Sequence, residues 1–219
     1  MICFVENPHI VNELYVVSEK IVMNYYIYKS FVFSLTIRYN DYKINRGQKK
    51  MEFILEPILK EDVANFKKDM QEAFQQGAVK EFPGLDAIVL PEKDIDESLS
   101  KKGAVAYKAI VDGKMSGGAI VIIDESTQHN HLDFLYVRCG IQSKGIGQKI
   151  WIEIEKLYPQ TKVWETCTPY FEKRNVHFYI NCLGFHAVEF FNPWHKDTNI
   201  PDDMIGGDYF FRFEKLIKH

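Results

Sequence analysis

Cysteine is scarce in this chain. Cys3, Cys139, Cys167 and Cys182 are the only four among 219 residues, and none stands in a short paired spacing. A disulfide framework and a zinc knuckle are therefore not expected, and a reducing cytoplasm is the expected location. His129 and His131 have no Cys or third His at ligand spacing nearby, so no metal is expected. Long apolar runs are missing as well. The stretch from Ile21 to Ile37 is broken by Asn24, Lys29 and Ser30, which makes it too short and too polar for a membrane span. No small-residue cleavage site follows it, so a secretory signal is not expected either. There is no basic stripe interleaved with aromatics, which argues against a nucleic-acid partner. Internal repeats and low-complexity tracts are absent. What remains, 46% hydrophobic and 26% charged residues, is the composition of a soluble globular protein.

Charge divides the chain unevenly. Residues 1–50 carry seven Lys and Arg against four Asp and Glu, a net of +3, which leaves −6 for residues 51–219. The first segment reads as an N-terminal extension and the second as one domain with a single core. Arg46-Gly47-Gln48-Lys49-Lys50 can be encoded by purine-rich codons of the kind that precede a start site. Met51 is the expected native start, because the domain pattern begins there. The alternative is a genuine extension that packs as additional strands or in an oligomer contact, such as a homodimer.

The chemistry is concentrated in residues 132–147. The apolar, aromatic run Leu132 to Val137 reads as a strand. A short turn follows, and Gly145 opens a helical pattern with Ile146, Ile150, Ile154 and Leu157, stopped by Pro159. A turn of this kind presents unpaired backbone N–H groups at the positive end of a helix, which is an anion site suited to phosphate. Gly145 and Gly147 avoid side chains that would hold a phosphate away from the backbone. The P-loop of nucleotide hydrolases needs Lys-Ser/Thr after its second glycine, where Ile146 and Gly147 stand. The dinucleotide fingerprint needs a third glycine where Ile150 stands.

What is left, Gln142-x-x-Gly145-x-Gly147, resembles the pyrophosphate-binding motif of the GNAT acetyltransferase superfamily. The flanking pattern is similar too. Met51–Ile58 and Lys60–Gly77 read as a first strand and helix. Ala104–Val111 and Met115–Ile123 read as a hairpin on Asp112-Gly113. Pro91 opens a short helix within the polar segment 83–102. Thr161–Thr168 reads as a strand, Asn175 and Tyr179 fall on a helix, and Gly184-Phe185 leads into the strand Phe185–Phe191. Tyr209–Ile217 closes the domain after a loop with Pro193, Pro201 and Gly206-Gly207. The resemblance covers residues 51–219. It implies an α/β fold with a mixed, mostly antiparallel sheet, splayed central strands and helices on both faces.

It also implies acetyl-CoA as co-substrate, lying where Leu132–Val137 and Thr161–Thr168 splay apart. Main-chain groups of Tyr136 and Val137 would meet the pantetheine and thioester. The turn Gln142, Ser143, Lys144, Gly145, Ile146, Gly147 and Gln148 would take the pyrophosphate. Asn175 would bind the pantetheine arm, unless it is a surface or capping residue. Tyr179 would supply a proton to the departing thiolate, but it lies five residues before Gly184, where the commoner family spacing is four. Either the helix end carries one extra residue or the acid is absent, and Tyr179 is then a core or rim aromatic. The base candidates are Glu165, mid-strand between Trp164 and Thr166, and Asp133. Glu165 is preferred on the expectation that burial raises its pKa, though either carboxylate could face solvent or pair with a Lys. Helix positions Val63, Phe66, Met70 and Phe74 are expected to be core, with no cofactor role. Cys139 and Cys167 have no clear base partner and are expected only to fill apolar space.

The expected function is acetyl transfer from acetyl-CoA to a primary amine of a small molecule or peptide, by direct attack in a ternary complex. Glu81, Asp86, Asp94, Asp96 and Glu97 weakly favour a cationic acceptor. The alternative is an acyl-CoA-binding sensor or interaction module without turnover.

Overall fold

The computed structural model describes residues 51–141, 145–196 and 209–218. Residues 1–50 lie outside the described residues. So do Gln142, Ser143 and Lys144, and the Pro201 and Gly206-Gly207 part of the last loop. The expected fold is the observed one: a seven-stranded, mostly antiparallel sheet with helices on both faces.

Strand β1 (Phe53–Pro57) leads through a single 3-10 turn into helix α1 (Val63–Glu81). The carboxylate of Asp62 accepts the Leu59 amide at 2.8 Å and fixes the entry to α1. The helix runs four residues beyond Gly77, where the sequence suggested its end. Ala78, fully buried, holds the last turn in the core. Helix α2 (Glu92–Ser100) follows, then the hairpin β2 (Ala104–Val111) and β3 (Lys114–Ile122). Its turn residues Asp112 and Gly113 have φ of 48° and 78°, the left-handed pair that a two-residue hairpin needs.

Strand β4 (His129–Val137) carries an extra residue at Asp133, because Ile120 pairs with Phe134 while Val121 pairs with Leu132. Helix α3 (Ile146–Leu157) and strand β5 (Val163–Pro169) come next. Helix α4 (Lys173–His177) runs into a π-helical turn (Phe178–Cys182), and β6 (His186–Phe191) and β7 (Phe210–Leu216) complete the sheet in the order β1-β2-β3-β4-β5-β7-β6. Every pairing is antiparallel except β4–β5. That parallel pair holds for three rungs only, ending at His131 opposite Glu165. Beyond it the two strands part.

Each face of the sheet has its own apolar layer. Phe66 and Met70 of α1 and Ile95 of α2 pack on Ala106, Ile120 and Tyr136. On the other face Ile146, Ile150 and Ile154 of α3 join Trp151, Trp164 and Phe213. Trp151 and Trp164 meet edge to face at 5.1 Å between centroids. Their spacing of four places the three isoleucines on one stripe of α3, as the periodicity predicts, whereas Leu157 is half exposed.

Candidate active site

The parting of β4 and β5 leaves a cleft of about 410 Å³ that runs through the sheet. One wall is the C-terminal half of β4, Leu135 to Val137. The start of α3, Gly145 to Gln148, forms its end. Asn175 and Phe178 close one side, and Ala73, Phe74 and Gly77 of α1 close the other. Phe74 therefore lines the cleft, contrary to the expectation that its helix face is core alone. Its ring packs edge to face on Phe134 of β4, 5.8 Å between centroids, and borders the cleft as well.

Helix α3 begins without a side-chain cap. Among the described residues, the amide of Lys149 closes onto the Gly145 carbonyl at 3.0 Å, and the backbone from Gly145 to Gln148 lines the end of the cleft. The two glycines serve different needs. Gly145 has φ of 73°, and a Cβ there would project into empty space. A Cβ on Gly147 would stand 3.1 Å from the Phe178 ring, so its hydrogen is what lets the π turn close against α3. Gln148 donates its side-chain amide to the Cys182 carbonyl at 3.2 Å, so what it offers the cleft is backbone. The Tyr136 ring is buried under α1, edge-on to Phe66, and likewise leaves its main chain for any ligand.

Asn175 lines the cleft and reaches towards Thr168 of β5 at 3.5 Å. Next to it stand two charged residues that the sequence reading did not single out, Arg174 and Glu172. Burial raises the Glu172 carboxyl, with Glu81 adding to the effect and Arg174 opposing it. Their position beside Asn175, in the short segment after β5, was the available signal.

Tyr179 is not among the residues lining the cleft. It is 8% exposed and packs on Phe185 and Phe213. Its hydroxyl is bonded to Thr166, and burial pushes it up to about 12, a poorer acid than a free phenol. The register anomaly has a physical cause. The Leu183 amide bonds to the Phe178 carbonyl, five residues back, so the π turn absorbs exactly one extra residue. This keeps both Tyr179 and Leu183 in the core. Tyr179→Phe is expected to leave turnover within about threefold across the pH range and to lower stability by about 1 kcal/mol, one hydrogen bond. Loss of the alkaline limb of the rate profile would return Tyr179 to the role of acid.

Glu165 is also outside the cleft lining. It sits on the last β4–β5 rung, and its carboxylate accepts from Arg212 at 2.9 Å, with His129 at 3.3 Å. Pairing with a Lys was one of the alternatives left open for Glu165; the partner is instead Arg212, 47 residues away in sequence. Arg212 also pairs with Glu189 and Glu214. Burial opposes the charge on Arg212, but these three carboxylates outweigh it. His129, Glu165 and Glu214 place ligand-type atoms within 4.8 Å of one another. The Arg212 guanidinium already occupies the charge position between the two carboxylates.

Asp133, on the bulge of β4, has a side chain only 4% exposed. Ser98 and Lys101 each donate to it at 2.6 Å, and His131 Nδ1 stands 2.7 Å away, off the line of an ideal hydrogen bond. Burial alone would raise its carboxyl, but His131, Lys101 and Ser98 outweigh that and lower it from 3.8 to about 2. A folded pKa below the unfolded one contributes stability that is present above about pH 4 and lost as pH falls through about 2. The shift corresponds to on the order of 2 kcal/mol. Asp133→Asn is expected to lose about that much at pH 7, with the gap to the parent closing towards pH 2, as read from urea midpoints. A gap independent of pH would mean that shape, rather than charge, is what Asp133 contributes.

Against known proteins, the acetyltransferase (GNAT) family matches residues 67–185. The uncharacterized protein YrkN of Bacillus subtilis (strain 168) is 43% identical over 173 residues, covering 75% of this chain and 94% of its own. Among solved structures, the ribosomal-protein-S18-alanine N-acetyltransferase of Escherichia coli superposes with a TM-score of 0.58 at 14% identity, covering 77% of this chain and 96% of that one. The PaiA N-acetyltransferase of Thermoplasma acidophilum, solved in complex with coenzyme A, gives 0.56 at 16% identity, covering 76% and 99%. A GNAT family acetyltransferase of Elizabethkingia anophelis with acetyl-CoA bound gives 0.52 at 14% identity, covering 75% and 98%.

Proposed function

The chain belongs to the GNAT acetyltransferase family, and from that premise we propose that it moves an acetyl group from acetyl-CoA to a primary amine by direct attack in a ternary complex. One observation carries the reading: a helix start without a side-chain cap at the end of a cleft that passes between two parting strands. The family resemblance makes that cleft the berth of acetyl-CoA, and two of the solved relatives bind coenzyme A or acetyl-CoA.

In this reading the amides of Gly145, Ile146, Gly147 and Gln148, with Gln142, Ser143 and Lys144 before them, hold the pyrophosphate. Main-chain groups of Tyr136 and Val137 meet the pantetheine arm, which Asn175 supports from the other wall. Arg174 adds a countercharge for phosphate. An amide donor aimed at the thioester oxygen would stabilise the tetrahedral oxyanion. No metal enters the scheme. The place of action is the cytoplasm; no helix among the described residues is long and apolar enough to cross a membrane.

The acceptor carries a primary amine, on a small molecule or a peptide. A cationic acceptor draws less support than the sequence suggested, because Asp96 is paired with Lys67 and Glu97 with Lys93. The test is release of free CoA thiol from acetyl-CoA against a panel of polyamines, aminoglycosides and peptide N-termini. Turnover with one of them supports the transferase. Tight acetyl-CoA binding with no thiol release from any acceptor favours the alternative, an acyl-CoA-responsive module.

A further inference from the structure

The last rung between β4 and β5 fixes where an acyl group can be met. Backbone pairing closes the sheet up to His131 and Glu165, so a ligand entering from the α3 end can go no further than this crotch. His131, Asp133 and Glu165 stand at this closed end, just beyond the residues that line the cleft. Here the β4 bulge brings together a histidine and a carboxylate that the mechanism has not yet used. His131 is about one-third exposed, while the Asp133 side chain beneath it is 4% exposed. Nδ1 is turned to Asp133 at 2.7 Å, and Nε2 looks outward, 3.8 Å from Glu165.

We propose that His131, oriented by the buried carboxylate of Asp133, takes the proton from the acceptor ammonium; this rests on the transferase reading above. A buried carboxylate 2.7 Å from one imidazole nitrogen stabilises the imidazolium that forms when the other accepts a proton. Glu165 does not serve as the base, because its carboxylate is engaged by Arg212. It serves instead as a second anion facing the imidazolium.

The step balances as follows. The ammonium N–H bond breaks and its proton passes to Nε2 of His131. The freed lone pair forms the C–N bond to the thioester carbon, and the carbonyl electron pair moves to oxygen. On collapse the C–S bond breaks, and the departing sulfur takes the second proton from the now acidic nitrogen. An amide and free CoA thiol leave, and the imidazolium returns its proton to water.

Charged groups face this imidazole from every neighbouring element. Asp133 and His129 lie on β4, Glu165 on β5 and Lys101 just after α2, with Arg212 and Glu214 of β7 behind Glu165. Neutral imidazole is the active form, so kcat/KM should carry an acidic limb that depends on His131.

The experiment uses the full chain, acetyl-CoA and the best amine from the panel, with pH profiles of kcat/KM. His131→Gln should lower kcat about 10²-fold, remove the acidic limb and leave the KM for acetyl-CoA within about threefold. His131→Ala should regain turnover when free imidazole is added, which a merely structural residue would not allow. Glu165→Gln should keep the limb and lose less than about tenfold. A His131→Gln enzyme with the parent pH profile, or a limb that vanishes in Glu165→Gln instead, overturns the assignment while leaving the transferase in place. Absence of parent turnover with every amine overturns both.

Discussion

Gly145→Val is expected to raise the dissociation constant for acetyl-CoA at least tenfold while the protein stays folded. Two effects act in the same direction. Gly145 has φ of 73°, a conformation that costs a β-branched residue on the order of 1–2 kcal/mol, so the backbone would turn away and carry the first amides of α3 with it. Its Cβ position is also free of protein atoms within 4 Å, and Gly145 lines the cleft, so a valine there would take up space that the proposed pyrophosphate needs. Tenfold corresponds to about 1.4 kcal/mol, less than either effect could reach alone if fully expressed. Gly145→Asn separates them, since asparagine tolerates the left-handed conformation but still brings a side chain. The expected order of affinity is Gly, then Asn, then Val, measured by calorimetric titration with acetyl-CoA. Affinity within about threefold in the valine variant would remove the pyrophosphate from this turn.

Local patterns were legible in the sequence, and long-range pairings were not. The spacing of Ile146, Ile150 and Ile154 and the Asp112-Gly113 turn each depend on residues a few positions apart, and both stand as read. The family resemblance supplied the splay of β4 from β5, which no periodicity could have revealed. The end of α1 was misplaced because a glycine that ends many helices is here carried by the burial of Ala78 beside it. The surroundings of Glu165 depend on distant sequence in the same way. Its environment is set by Arg212, and nothing near position 165 announces that a guanidinium from the last strand will lie against it. The five-residue spacing from Tyr179 to Gly184 was noticed, and one of the two explanations offered for it, an extra residue at the helix end, is what the π turn provides. Whether the phenol then served as acid depended on side-chain packing, and that packing takes it into the core.

Two glycines that the sequence reading passed over lead to the largest expected loss of stability. Gly117 and Gly118 lie inside β3, where glycine weakens a strand unless another group must come close. Here one does. A Cβ on Gly118 would fall 2.4 Å from the Phe66 ring of α1, 2.5 Å from the Tyr107 carbonyl oxygen and 3.2 Å from the Tyr136 ring. The carbonyl is backbone and cannot step aside, so α1 and the aromatic ring of β4 would have to move together. Gly118→Val is therefore expected to cost about 3 kcal/mol or more, the upper range for overpacking. It should also weaken acetyl-CoA binding, because Tyr136 belongs to the cleft wall. Gly77→Ala offers the opposite sign from the same residue type. Its Cβ would meet only Glu172 Oε1, at an ordinary 3.5 Å, within the run of α1. Helix propensity then favours alanine by up to about 1 kcal/mol. Urea unfolding of the two variants beside the parent reads both signs. Equal and small shifts would mean that close approach over β3 does not position β4, and that the cleft wall depends on the splay alone.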